Sequence, residues 1–252
     1  MTTNAIQIET TDGIAVLTLD RAPANAIDLE TASELAGALS MLKAQDDIGA
    51  LIVTGAGNCF SAGLDLKAVP TYTAEQQEEM VMALNRMFGG LYGLPFPTIA
   101  AVNGHAIAGG VILALACDYR IAAEGDYKIG LAEARVGVVF PVAAITIVKS
   151  ELSPATAKTM VLTARNYNSR EALAMSVADE VQPADKLLQR AIEVAREMAA
   201  LPRSSYRRIK NSLRWEALAL IDDAISNRNE PMLGSWLSEE TRIASAEALK
   251  KS

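Results

Sequence analysis

Ala101-Val102-Asn103-Gly104-His105-Ala106-Ile107-Ala108-Gly109-Gly110-Val111-Ile112-Leu113-Ala114-Leu115-Ala116 is the stretch on which the reading of this chain turns. It continues an apolar run that begins at Thr98, then breaks at Gly104 and again at Gly109-Gly110. A short apolar run ahead of glycines reads as a buried strand, and the longer run after them as an apolar helix reaching about Ala116. The apolar stretch is too short to cross a bilayer, and Asp118 and Arg120 follow at once, so the helix belongs to a protein core.

The same alternation extends outward in both directions. Ile14–Leu19 and residues 6–8 flank Asp12-Gly13 as two strands joined by a tight turn. Thr31 and Glu34 have capping-box spacing ahead of Leu35, Leu39 and Leu42, which predicts a helix over about 31–45. Residues 50–54 predict a strand that runs into Gly55-Ala56-Gly57-Asn58. Met80, Leu84, Met87 and Leu91 have helical spacing, and Pro95 and Pro97 end that helix before the next strand. Residues 119–122 resume an extended pattern, whereas beyond Pro154 the signals are almost all helical. Repeated strand-to-helix alternation places the chain in the α/β class with a helically covered sheet. The expected division is a core over 1–200 and a C-terminal helical extension over 201–252, with the boundary near Leu201-Pro202. The basic cluster Arg203, Arg207, Arg208, Lys210 and Arg214 reads as a solvated helix face, with coenzyme phosphates as the alternative partner.

Composition narrows the function classes. Half of the 252 residues are hydrophobic and only 5% aromatic, so the chain can bury a large aliphatic core. The net charge of -7 and the lack of a basic run argue against nucleic acid. No basic-then-apolar leader pattern opens the sequence, and Cys59 and Cys117 fit a reducing compartment, so a cytoplasmic protein is expected. With one histidine, His105, and no metal-ligand spacing, no metal site is expected. His105 reads as a loop histidine satisfied by hydrogen bonds, and neither cysteine as a nucleophile.

Phe60-Ser61-Ala62-Gly63-Leu64-Asp65-Leu66 resembles the first oxyanion-hole segment of the crotonase (enoyl-CoA hydratase/isomerase) superfamily. Residues 101–110, followed by Leu115-Ala116-Cys117-Asp118-Tyr119-Arg120, resemble the second. The resemblance covers roughly residues 5–200 and implies a crotonase-like ββα spiral, acyl-CoA substrates, and trimers or paired trimers. It further implies that the Ala62 and Gly109 N–H groups hold the negative charge of a thioester enolate. Asp65, Leu66 and Lys67, with Gly63 and Leu64, would lie along the coenzyme. Asp20, Arg21, Ala22 and Ala24 resemble a second coenzyme-binding turn. CoA is then part of the substrate, and no cofactor is required.

Hydratases of this superfamily carry two glutamates. Here the first position is Ile112, whereas Ile129-Gly130-Leu131-Ala132-Glu133 retains the second. An apolar side chain cannot transfer a proton, but one glutamate can remove and return one. The surrounding residues look especially like the mitochondrial-type 3-enoyl-CoA to 2-enoyl-CoA isomerases, which implies that Glu133 shuttles a proton from C2 to C4. A divergent hydratase, an acyl-CoA thioesterase and a non-enzymatic acyl-CoA-binding protein are the competing readings. Val138-Val139-Phe140-Pro141-Val142 is expected to form an apolar acyl wall, with Phe140 on the substrate. Arg135 departs from the resembling enzymes, and either points outward or narrows that pocket.

Overall fold

The computed structural model describes residues 5–236 together with 243, 244 and 247. Strands β1 (Ile6–Thr11) and β2 (Ile14–Leu19) form an antiparallel hairpin. Asp12 and Gly13 both take positive φ at its turn, the geometry that matches the twist of a two-residue hairpin. Helix α1 (Leu29–Lys43) follows. It begins earlier than Thr31: Asp28 is the N-cap and accepts from the Thr31 N–H at 2.8 Å. Glu34, expected to complete a capping box, instead accepts from the Ala5 N–H at 3.2 Å, because the Asp28 carboxylate already occupies the helix terminus.

Three turns of a strand-strand-helix pattern come next. Strands β3 (Ala50–Gly55) and β4 (Cys59–Ser61) lead to helix α2 (Ala74–Tyr92). Strands β5 (Thr98–Val102) and β6 (His105–Ile107) lead to α3 (Gly109–Leu115). Strands β7 (Tyr119–Ala123) and β8 (Ile129–Gly130) lead to the short α4 (Glu133–Val136). The remainder is α5 (Val142–Glu151), α6 (Pro154–Thr163), α7 (Ser169–Ala174), β9 (Glu180–Gln182), α8 (Leu187–Ala199), α9 (Arg203–Ser226) and α10 (Leu233–Trp236).

Each turn gives one strand to each of two sheets, which makes the architecture a ββα spiral followed by a helical C-terminal region. The larger sheet has the order β1-β2-β3-β5-β7-β9 and the smaller β4-β6-β8; apart from the opening hairpin all pairs are parallel. Parallel strands buried on both faces need continuous apolar runs, and β5 is buried at every position. Alternate residues serve different layers. Leu51 and Val53 of β3 join the main core, whereas Ala50 and Ile52 face Ala191 and Ala195 of α8.

Helix α9 packs on α2 and α5 through Ala217, Ile221 and Ala224. Its basic residues do not form one solvated face. Lys210 and Arg214 are buried: Lys210 Nζ lies 2.7 Å from Asp118 Oδ2, and Arg214 Nη1 lies 3.0 Å from Asp118 Oδ1. Arg214 also sits over the Tyr92 ring at 3.9 Å from its centroid and 3.2 Å from Glu151. The charges point inward because the loop after α3 presents a largely buried carboxylate, Asp118, a tertiary partner that helical spacing cannot reveal. This also removes Lys210 and Arg214 as candidate phosphate ligands.

Candidate active site

The two sheets and the helices between them leave a cavity with an apolar lining. The loop after β4 contributes Ala62, Leu64 and Leu66; β6 and α3 contribute Ile107, Gly109 and Ile112. Helix α2 adds Leu84 and Phe88, a pair at i and i+4 on one face. Glu133 opens α4, and Val138, Val139, Pro141 and Trp236 close the wall. Glu133 is the one ionisable side chain among the described residues that line the cavity.

Most backbone N–H groups of the loop after β4 have named acceptors. Ala62 N–H donates to the Ala24 carbonyl at 2.9 Å, and Gly63 N–H to Ser61 Oγ at 3.1 Å. Asp65 N–H donates to the Ile27 carbonyl at 2.8 Å, while Ile27 N–H donates to the Gly63 carbonyl at 2.7 Å. That pair of bonds is one rung of a parallel bridge between Ile27 and Leu64, and it turns the Leu64 N–H to the opposite side. Among the described residues Leu64 N–H has no acceptor, and neither has Gly109 N–H at the start of α3.

The loops that carry these two donors meet at Gly63. A Cβ on Gly63, whose φ is +74°, would lie 2.8 Å from Gly109 N and 2.6 Å from the Ile107 carbonyl oxygen, so the loops touch through glycine. Ala108, just before Gly109, has φ 51°, a strained conformation for a residue with a side chain, and it caps α3 without any side-chain bond. The first turn of α3 therefore presents an open N–H to the cavity. The expectation for Ala62 is corrected accordingly. Its N–H is consumed by Ala24, and the donor left without an acceptor beside the Ile27 bridge belongs to Leu64.

Glu133 is 6% exposed, and its Oε2 has no hydrogen-bond partner among the described residues. Burial raises its pKa to about 7, because an apolar wall solvates the neutral acid better than the carboxylate. A carboxyl group poised near neutrality can both take and return a proton. Ile112 is buried in the same wall, so among the described residues no second carboxylate lines it.

Other residues named from sequence lie outside the cavity. Phe140 packs against the main core while its neighbours Val139 and Pro141 do the lining, because the strip after α4 turns this ring away. Arg21 is held by carboxylates: Nη2 is 2.9 Å from Asp28 Oδ2 and 2.8 Å from Asp65 Oδ2. Burial pushes the Asp65 pKa up, but the Arg21 bond and the N–H groups of Ala68 and Lys67 outweigh it and leave it below the ordinary value. Ala22 and Ala24 lie in the turn that meets the β4 loop through the Ala24 carbonyl, with a cis bond between Ala22 and Pro23. Arg135 is exposed and donates to the Ala164 carbonyl, so it points outward. His105 Nδ1 accepts from the Lys128 N–H at 3.0 Å. Cys117 is fully buried and its thiol is pushed up to about 12, chiefly by burial, which leaves it inert.

With two open N–H groups and one carboxyl in an apolar cavity on a ββα spiral, the comparison with known proteins becomes decisive. The enoyl-CoA hydratase/isomerase family model matches residues 9–250. The chain belongs to that family. A Thermus thermophilus relative assigned by name to the enoyl-CoA hydratases is 35% identical over 211 residues, 82% of this chain and 83% of its own. An apo structure of a Mycobacterium tuberculosis enoyl-CoA isomerase superposes with a TM-score of 0.80 at 31% identity, covering 89% of this chain and 98% of that one. Human mitochondrial delta3-delta2-enoyl-CoA isomerase shares the fold with a TM-score of 0.90, over 98% of this chain and 97% of that chain, at 24% identity. Relatives within the family carry both hydratase and isomerase names, so membership fixes acyl-CoA chemistry at the level of the family. The choice of reaction rests on the cavity. Sequence reasoning named neither Ile27 nor Trp236; Ile27 acts through a backbone bridge, and Trp236 comes from the far end of the chain.

Proposed function

We propose that this enzyme shifts the double bond of a 3-enoyl-CoA to give the trans-2-enoyl-CoA. The observation that carries the reading is the single carboxyl, Glu133, in an otherwise apolar cavity with two unengaged backbone N–H groups. Glu133 as carboxylate removes a proton from C2, and the electron pair moves onto the thioester oxygen to form a dienolate. The Leu64 and Gly109 N–H groups hold that charge, each contributing about 3 kcal/mol to the transition state. Glu133, now protonated, delivers to C4, so no atom is gained or lost and the carboxylate is regenerated. Water addition requires a second proton-handling group, and Ile112 occupies the wall where one would stand.

The coenzyme portion is proposed to run along the Arg21–Ala24 turn and the 63–67 loop, which the Arg21 to Asp65 pair ties together. CoA then enters and leaves as part of the substrate. A homotrimer or pair of trimers is proposed from the apolar stripe that α9 leaves in solvent at Ile209, Leu213 and Leu220. None of the described helices is long and apolar enough to cross a membrane.

Incubation with 3-enoyl-CoA substrates of several chain lengths, followed by chromatography of the thioesters, is expected to yield the conjugated 2-enoyl product. Dominant hydration of 2-enoyl-CoA would move the assignment to a hydratase, release of free CoA to a thioesterase, and binding without turnover to a carrier. Gly63→Ala provides a separate test of the oxyanion pair. Its added methyl must push against Gly109 N and Ile107 O, so kcat is expected to fall about a hundredfold, the cost of one misplaced donor. A folded variant with wild-type turnover would exclude the pair.

A further inference from the structure

One wall of the cavity is supplied by a segment beyond the spiral. After α9 the chain returns so that Trp236, 5% exposed, meets the cavity beside Leu84, Phe88 and Val139. The indole N–H donates to the Val139 carbonyl at 2.9 Å, which fixes the orientation of the ring as well as its position.

The approach of this segment is itself locked by a buried carboxylate. Glu230 is 8% exposed, and its Oε2 accepts from Asn85 Nδ2 at 2.8 Å and from the Val142 N–H at 2.9 Å. Its Oε1 accepts from the Met232 N–H at 3.2 Å. Asn85, fully buried on α2, accepts in turn from the Ala143 N–H at 2.8 Å. Helix α5 starts after Pro141 with no side-chain cap of its own, so Glu230 and Asn85 satisfy its first free N–H groups. A carboxylate at that end is also favoured by the helix dipole. Val138, Val139 and Pro141 lie immediately ahead of this cap, so one clasp fixes both the cavity strip and the chain that brings Trp236 onto it.

We propose that Trp236 is the end-stop for the acyl chain, with Glu230 as its positioning residue, and that together they set the longest chain the cavity accepts. This rests on reading the cavity as the acyl site. Each methylene that finds apolar wall strengthens binding by roughly fourfold. That gain ends where the chain meets an indole that cannot turn without losing its bond to Val139.

The test uses saturated acyl-CoAs graded from butanoyl to hexadecanoyl and isothermal titration calorimetry, so that binding is read whatever reaction the enzyme catalyses. In the wild type, affinity is expected to climb by roughly fourfold per methylene and then stop at one length. Trp236→Ala, or Trp236→Leu if the smaller side chain prevents folding, moves that break to longer chains by roughly two methylene groups or more, given the area an indole covers. Glu230→Gln, which replaces one accepting oxygen by a donor, moves it in the same direction. An unmoved break in a folded Trp236 variant overturns the end-stop, and one that moves for Trp236 but not for Glu230→Gln overturns the clasp. Failure of the wild type to bind any acyl-CoA would instead sink the acyl reading of the cavity, and the end-stop with it.

Discussion

Glu133→Gln is expected to reduce isomerisation by about a hundredfold or more while acyl-CoA binding persists, the usual consequence of deleting a positioned general base. The amide keeps the size of the side chain, and the Leu64 and Gly109 N–H groups belong to other loops, so the cavity stays built. In the wild type, kcat/KM should rise with pH through about 7, because the carboxylate must be ionised to take the C2 proton. The same burial has a stability counterpart. Between the ordinary value of 4.5 and about 7 the folded protein binds this proton more tightly than the unfolded chain, so stability falls as pH rises across that window. Above it the ionised group costs on the order of 3 kcal/mol. Glu133→Gln cannot titrate, so its stability relative to wild type should be higher at pH 8 than at pH 5, as read from urea midpoints. Near-normal turnover in the folded variant eliminates Glu133 as the base, and a flat stability difference removes the buried-carboxylate account of its pKa.

Asp118→Ala is expected to destabilise the fold by about 3–5 kcal/mol, the cost of stranding buried charge. Asp118 accepts from Lys210, Arg214, the Tyr206 hydroxyl at 2.9 Å and the Thr98 N–H at 2.9 Å, so its removal leaves two cations inside with only Glu151 near Arg214. Burial already holds the Lys210 pKa below its ordinary value, against the pull of Asp118. Without that carboxylate the depression deepens. A lysine with a lowered folded pKa gains stability as pH rises towards its unfolded value, so the defect of Asp118→Ala should shrink on the alkaline side. Denaturant titrations across pH would read both effects, and a loss below about 1 kcal/mol would show that the network contributes little.

The helically covered sheet was legible because parallel strands buried on both faces must be largely apolar, and residues 99–102 and 50–53 are, whereas the spiral was legible only through the family resemblance. The place of Glu133 in the cavity was legible only through the resemblance, from the 129–133 segment and from Ile112 at the other carboxylate position. Three things were not. The N–H of Leu64 rather than Ala62 is free because Ala24, far away in sequence, takes the latter; backbone accounting needs the tertiary bonds. Lys210 and Arg214 look like solvent-facing charges until Asp118 is placed beneath them. Trp236 reaches the cavity by a return of the chain whose fixing point, Glu230 on Asn85 and Val142, spans elements with no shared pattern.

On the proposed mechanism the charge-holding half of this site is made of main chain, with Gly63 pressed against Gly109, and the proton-moving half is one side chain. The two halves age differently under mutation. Any residue but proline at position 64 leaves an N–H in place, whereas on this mechanism a single codon at 133 would separate an active protein from a silent one. On that reading, residues around the turn, Ile112 among them, can be exchanged while the charge sink stays. New reactions can then arise by adding or removing acids in an inherited electrostatic frame, without rebuilding the fold that holds it.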